Sequence, residues 1–229
     1  MARGLHIQHK RSFRVWAWVF WVVLVVLLAL SGWYTYRWYT TGELPPVPVA
    51  RAVEVTPGVS EKKVTHDDVT DYTVPALHPR YISIPSLDIG KTRVFPVGVD
   101  KNNVLGTPNN ISDAAWYEKS MTPGSGYGAV LIDAHNGGYT HQGIFTNLYK
   151  IKVGDKVTVE RGDGKVFTYS VVSNVTMSLQ DVNKYGMNQM MRSADENKEG
   201  LSLITCAGNY VPKLGQFDKR VMVRAVRVD

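Results

Sequence analysis

Apolar and polar positions alternate through much of the second half of the chain, but near its start they do not alternate at all. From Val15 to Leu30 the run VWAWVFWVVLVVLLAL holds no charged or strongly polar residue, and Ser31, Gly32, Trp33 and Tyr34 extend it to 20 residues. That is enough for a helix to cross a hydrocarbon layer of roughly 30 Å. Trp16, Trp18 and Trp21 crowd one end of the run, and Trp33, Tyr34, Tyr36, Trp38 and Tyr39 the other. Such rings settle at the two membrane–water boundaries, so residues 15–36 are expected to form a transmembrane anchor. A buried core helix fits the length less well. A signal peptide cut after Ala29-Leu30-Ser31 is the other alternative.

Between Gly42 and Pro79 stand Pro45, Pro46, Pro48, Pro57, Pro75 and Pro79, with polar residues filling much of the space. Neither a helical period nor a long strand alternation is visible, and residues 37–78 read as a semi-extended linker. Val47, Val49, Val53 and Val55 suggest a short strand within it.

From Arg80 onward strand follows strand: Tyr81–Pro85, Arg93–Val99, Ala129–His135, Lys156–Glu160, Lys165–Val172, Leu201–Cys206 and Arg220–Val228. Gly162-Asp163-Gly164 between two of them is a hairpin signal. Helical pieces are few: one to two turns around Ile144, Phe145, Leu148 and Tyr149, and another piece over Asn183–Arg192. Short strands with Gly and Pro turns point to an all-β domain, a closed or nearly closed barrel or a sandwich.

Composition sharpens this picture in two places. Of the 26 basic residues, Arg3, Lys10, Arg11, Arg14 and Arg37 stand before Thr40, where there is no acid; the formal charge of +6 therefore leaves the remainder at +1. The basic character belongs to the N-terminal flank and not to a nucleic-acid-binding face. Basic flanks stay in the cytoplasm, so residues 1–14 are expected inside and the bulk of the chain outside the membrane. A single cysteine excludes an intrachain disulfide and a Cys-rich zinc site, which makes its thiol a candidate reactive group.

That cysteine, Cys206, closes an apolar strand before Ala207-Gly208-Asn209, where a nucleophile can be both held and reached. Taken alone it is also compatible with a small buried hydrophobe. His135 likewise ends an apolar strand before Asn136-Gly137-Gly138, and Arg220 opens the last strand; alone, these read as a loop histidine and a solvated charge. Together, a thiol, an imidazole and a guanidinium near strand ends supply a nucleophile, an acid/base and a cation for developing negative charge. His141, in the loop after His135, is the rival histidine. Metal signals are weak: HExxH, CxxC and EF-hand patterns are absent. Asp113, Glu118, Asp195 and Glu196 read as solvated charges in preference to a calcium cluster. The stretch PGSGYG lacks the ending of a phosphate loop.

These residues resemble a family. Leu203-Ile-Thr-Cys206, followed fourteen residues later by Arg220 within Phe-Asp-Lys-Arg-Val-Met-Val, resembles the TLxTC strand and downstream arginine of sortases, the membrane-anchored cysteine transpeptidases of monoderm bacteria. Ala129-Val-Leu-Ile-Asp-Ala-His135 is similar to their strand ending in the catalytic histidine. Gly143-Ile-Phe-Thr-Asn-Leu148 with Lys152-Val-Gly-Asp155 looks like the segment between histidine and hairpin. Tyr81-Ile-Ser-Ile-Pro85 and Phe95-Pro-Val-Gly98 are similar to the first strands. The likeness covers about Arg80 to Asp229; it leaves the class open, with classes E and F as candidates.

The resemblance implies an eight-stranded sortase β-barrel with short helices over residues 79–229, behind the anchor and linker. It also implies that Cys206 attacks the Thr–Gly bond of an LPxTG-like sorting signal on secreted surface proteins, forming a thioacyl intermediate. An amine from a peptidoglycan precursor or a pilin then resolves that intermediate. His135 would protonate the leaving amine and deprotonate the acceptor, Arg220 would stabilise the oxyanion, and Thr205 would help order the substrate. No cofactor is implied, and the sequence does not support calcium. Partners would be the sorting peptide, the amine acceptor and membrane lipid, with no nucleic acid; the enzyme would sit in the cell membrane with its catalytic domain outside. One position departs from the family, whose histidine often follows Gly; here it follows Asp133-Ala134. Asp133 and His135 share a strand face, so the carboxylate either raises the histidine pKa or faces water from an edge strand. An L,D-transpeptidase would want Gly before the cysteine and an arginine close after it. A membrane-anchored extracytoplasmic binding module without catalysis, and a strict peptide hydrolase on the same barrel, are the remaining alternatives.

Overall fold

A computed structural model describes residues 12–46, 58–138 and 140–229. Arg3, Lys10 and Arg11, the side chain of Arg14, and the valines at 47, 49, 53 and 55 lie outside the described residues. The chain falls into two compact units, Met1–Pro48 with Val211–Leu214, and Val49–Tyr210 with Gly215–Asp229.

The first unit is built on helix α1, Ser12–Thr41. Within its stretch Val15–Thr41, an 18-residue window has a mean hydropathy of 2.4, and none of that window is buried within the protein. A helix apolar on every side has no face to turn to water. α1 fits a single-pass membrane anchor.

In the second unit, eight strands among the described residues close into a barrel. They are β1 Pro79–Ile84, β2 Ile89–Val97, β3 Ala114–Tyr117, β4 Ala129–Ala134, β5 Lys156–Arg161, β6 Val166–Ser178, β7 Gly200–Val211 and β8 Gln216–Arg227. Their order around the barrel is β1-β2-β3-β4-β7-β8-β6-β5. The β2–β3 and β4–β7 pairs are parallel. Closure removes the open edges that a sheet of this size would otherwise present.

Strand alternation sorts side chains into an interior and an outer face. Val130, Ile132 and Ala134 of β4, Leu201 and Leu203 of β7, and Val221, Val223 and Ala225 of β8 point into the main core. Phe145 and Leu148, fully buried in the segment after His135, fill the same interior. The residues between them point outward, where Leu131, Ile204 and Met222 form a second apolar cluster with Val182 and Met190. Those last two come from the β6–β7 connection, which holds α3 Leu179–Asp181, a π-helical stretch Val182–Gly186 and α4 Met187–Met190. This helical stretch therefore covers part of the outer face of β4, β7 and β8.

The structure extends several of the expected strands: β2 begins at Ile89 and β6 runs on to Ser178. β7 runs past Cys206 to Val211, and β8 begins at Gln216, so Cys206 and Arg220 stand within strands and not at their ends. Residues 58–78, expected as linker, fold onto the barrel. Thr65 and Asp68 make a capping box for α2, His66–Thr70, Tyr72 donates from its hydroxyl to Val94 O at 2.5 Å, and Ser60 bridges to Asn110.

Candidate active site

The register of β4 against β7 places the sequence-predicted residues. Asp133 is level with Ile204 in this parallel pair. β4 ends at Ala134, one residue before His135, while β7 runs on through Cys206, so His135 and Cys206 each follow the last paired position by two residues. Thr205 ties the strands together just before that point, donating from Oγ1 to Ala134 O at 2.6 Å. β8 is the neighbour of β7 on its other side, and Asn209 N donates to Asp218 Oδ1 at 2.7 Å across the start of that hairpin. Cys206 shares its face with Ile204, Arg220 with Met222, and Asp133 and His135 with Leu131. Thiol, imidazole, guanidinium and carboxylate thus belong to one outer face on three adjacent strands.

His135 is only 4% exposed. Its Nε2 donates to Pro108 O at 2.7 Å, which leaves Nδ1 as the nitrogen able to take up a proton. Burial pulls the imidazole pKa below its ordinary value, with the Pro108 bond opposing. The neutral base is favoured. The following loop holds the ring in place: Phe145 N donates to His135 O at 3.1 Å. A Cβ at Gly143 would lie 2.1 Å from His135 O, so only glycine allows this approach.

Cys206 is half-buried. Arg220 donates from Nη1 to Phe217 O at 3.0 Å and Lys219 O at 2.8 Å, and from Nη2 to Gln216 Oε1 at 3.3 Å. Arg224 is committed elsewhere, to Arg192 O at 3.2 Å and Ser193 O at 3.0 Å, where it holds the end of the covering segment. His141, the rival histidine, is 70% exposed and pairs with Glu61 at 2.9 Å.

Two expectations change. Thr205 is 1% exposed and points to the interior, opposite to the Cys206 face. Its hydroxyl joins two strands. Asp133 neither raises the His135 pKa nor faces water. It is 9% exposed, and burial pushes its carboxyl up to about 7, against the opposing charge of Arg220 and a hydrogen bond from the Ala134 backbone. The face was legible from strand period; its position on a central strand beneath a cover was not.

Among the described residues no group of three His, Cys, Asp or Glu side chains is placed to hold a metal ion. Asp113, expected as a solvated charge, is buried and bound to Arg93 Nε at 2.9 Å and Nη2 at 2.8 Å. A cleft of about 450 Å³ lined by His66, Arg80, Tyr81, Lys91 and Glu160 lies on α2, β1, β2 and β5, away from the strands that carry Cys206.

Residues 82–228 match the family described as the Sortase domain. Among solved structures, a lid mutant of sortase A from Corynebacterium diphtheriae is similar at 24% identity, over 68% of this chain and 71% of that one, with a TM-score of 0.49. Streptococcus pneumoniae sortase C is similar at 21% identity, over 80% and 82%, with a TM-score of 0.49. A lid mutant of Streptococcus agalactiae sortase C1 is similar at 18% identity, over 72% and 76%, with a TM-score of 0.48. No curated protein matches the chain. The family match runs from the first barrel strand almost to the last residue, and by it this chain belongs to the sortases.

Proposed function

We propose that the chain is a membrane-anchored cysteine transpeptidase that cleaves an LPxTG-like sorting signal and passes the acyl group to an amine of the cell wall or of a pilin. The observation that supports this reading most is the β4–β7 register, which brings the segment ending in His135 alongside Cys206. In the forward step the Cys206 sulfur attacks the Thr carbonyl carbon, the Thr–Gly C–N bond breaks, and a thioester forms. His135 Nδ1 receives the thiol proton and returns it to the departing glycine nitrogen. A buried imidazole of lowered basicity is a good donor for that second transfer. In the return step the acceptor amine attacks the thioester carbonyl carbon and gives its proton to His135, the C–S bond breaks, and His135 passes that proton to the departing Cys206 thiolate. Arg220 offers its planar fork of donors to the oxyanion of both tetrahedral intermediates. In the same reading the basic flank before α1 stays in the cytoplasm and the barrel faces outward; protection of the barrel from protease added to intact cells would overturn that orientation.

The test uses the full chain with a panel of LPxTG-type peptides and a small amine. Cys206→Ala and His135→Ala are expected to abolish both cleavage and transfer, while His141→Ala stays close to wild type. Turnover retained by Cys206→Ala sinks the mechanism. A wild-type chain that binds sorting peptide but is never labelled at Cys206 by a thiol-reactive peptide analogue is a binding module instead.

A further inference from the structure

We propose that Asp133 is a positioning residue for this reaction, whose carboxylate draws the Arg220 guanidinium across β7 until it stands over Cys206. The inference rests on the roles given above to Cys206, His135 and Arg220, and it supplies the group that aims the arginine.

Asp133 lies between two apolar neighbours, level with Ala115 on β3 and Ile204 on β7. Two residues earlier on the same face, the equivalent position is filled by the fully buried Leu131. A carboxylate is costly in such a place unless it is paired. The Ala134 amide serves the carboxylate, but Oδ2 is buried and has no hydrogen-bond partner. The opposite charge that reaches it comes from Arg220, which lies beyond β7 on β8. Cys206 therefore stands on the strand between an incompletely satisfied anion and a cation.

The groups that share this face are His135 on β4, Cys206 on β7, Arg220 and Arg224 on β8, and Tyr117 on β3. The covering segment contributes Val182 and Met190, which carry no charge. Of the two arginines, Arg224 is held by the Arg192 and Ser193 carbonyls. Among the described residues Arg220 is bonded along its own strand, to acceptors at 216, 217 and 219. Exchanging those contacts for the carboxylate's attraction swings the guanidinium toward the thiol. A peptide laid over this outer face excludes water and strengthens that attraction.

The pH dependence follows from the carboxyl value of about 7. Below it Asp133 is protonated and exerts no pull. Above it the carboxylate is ionised and Arg220 is aimed, so kcat should rise with pH through neutrality.

The experiment compares the full-length wild type with Asp133→Asn, which keeps the shape and removes the charge. At roughly pH 8 the variant is expected to lose about tenfold or more in kcat with KM changed less than about twofold, and this gap should close toward about pH 6. The Arg220 Nε–Hε NMR resonance should titrate near neutrality in the wild type and not in the variant. A variant that equals the wild type at every pH overturns the proposal, and so does a faster one, which would make the carboxylate a restraint. If Asp133→Asn does not fold, the wild-type resonance decides alone, and a flat Arg220 titration overturns the proposal. Activity surviving in Cys206→Ala would sink the transpeptidase reading itself, whereas a dead Cys206→Ala beside an indifferent Asp133→Asn sinks only the role of Asp133.

Discussion

Replacing Thr205 by Val tests how the strand that carries Cys206 is held. Valine keeps the volume and the β-branch, so no cavity opens, and the single loss is the Oγ1 bond to Ala134 O at 2.6 Å. At 1% exposure no water replaces the missing donor. Removing one partner of a buried hydrogen bond costs about 1–3 kcal/mol, and because the Ala134 carbonyl also lies in a sheet the lower half of that range, about 1–2 kcal/mol, is expected. Urea denaturation of the wild type and Thr205→Val under the same conditions measures this. Thr205→Ser keeps the donor and sheds one methyl, worth about 0.8 kcal/mol by transfer alone. The bond spans the residues just before Cys206 and His135, so its loss should loosen their alignment. We expect kcat to fall about tenfold in Thr205→Val with KM little changed, and Thr205→Ser to recover most of the rate. A Thr205→Val protein of wild-type stability whose KM alone rises would refute this reasoning and return Thr205 to direct contact with the peptide.

Two further outcomes are expected. Arg220→Lys should lose about 10²–10³ in kcat/KM, the usual effect of removing one oxyanion donor, whereas Arg224→Ala should keep the rate and lose stability, since its guanidinium serves the Arg192 and Ser193 carbonyls. Kinetics on one sorting peptide, with folding followed by circular dichroism, separates them; a crippled Arg224→Ala beside an active Arg220→Ala would reverse the assignment. Glu199→Ala should destabilise the barrel by about 3–5 kcal/mol in a urea titration, because the buried carboxylate accepts from Gly124 N, Gly126 N and the Tyr169 hydroxyl. A loss below about 1 kcal/mol would show that those donors find water instead.

The sequence carried the barrel because its long strands alternate cleanly, as in Lys156–Glu160 and Lys165–Val172, which pair across Gly162-Asp163-Gly164 as expected. β3 was invisible: Ala114-Ala115-Trp116-Tyr117 is four residues long and buried on both faces over its first three, so there is no period to read. The end of β7 was misplaced for a local reason. Ala207-Gly208-Asn209 has the composition of a loop, yet Gly208 takes a positive φ of 80° inside the strand, and a Cβ there would lie 2.0 Å from Asp218 Oδ1. At the site, strand period put Cys206, His135 and Arg220 on one outer face even though Cys206 and Arg220 stand inside their strands and not at the ends expected. What Asp133 and Thr205 touch was not legible, since both partners depend on which strands become neighbours, and strand pattern leaves that open. The folding of residues 58–78 onto the barrel was hidden by its prolines and polar residues, whose contacts are scattered: the Tyr72 hydroxyl on Val94 O, Arg80 of β1 on Tyr72 O, and backbone bonds at Ser60.

The connection between β6 and β7 is fastened at both ends by groups outside its own middle. Ser178 caps its start by accepting from Asp181 N at 3.1 Å, and Glu199 locks its finish into the barrel through the donors of Gly124, Gly126 and Tyr169. Between these fixed points only Val182 and Met190 join the apolar cluster on the outer face as fully buried members. Such a stretch behaves as an interchangeable cassette: its length and chemistry can drift while two apolar anchors and two end clamps persist, and the fold beneath does not register the change. Residues added or removed between Ser178 and Glu199 would therefore lengthen or shorten the cover while β4, β7 and β8 keep their register.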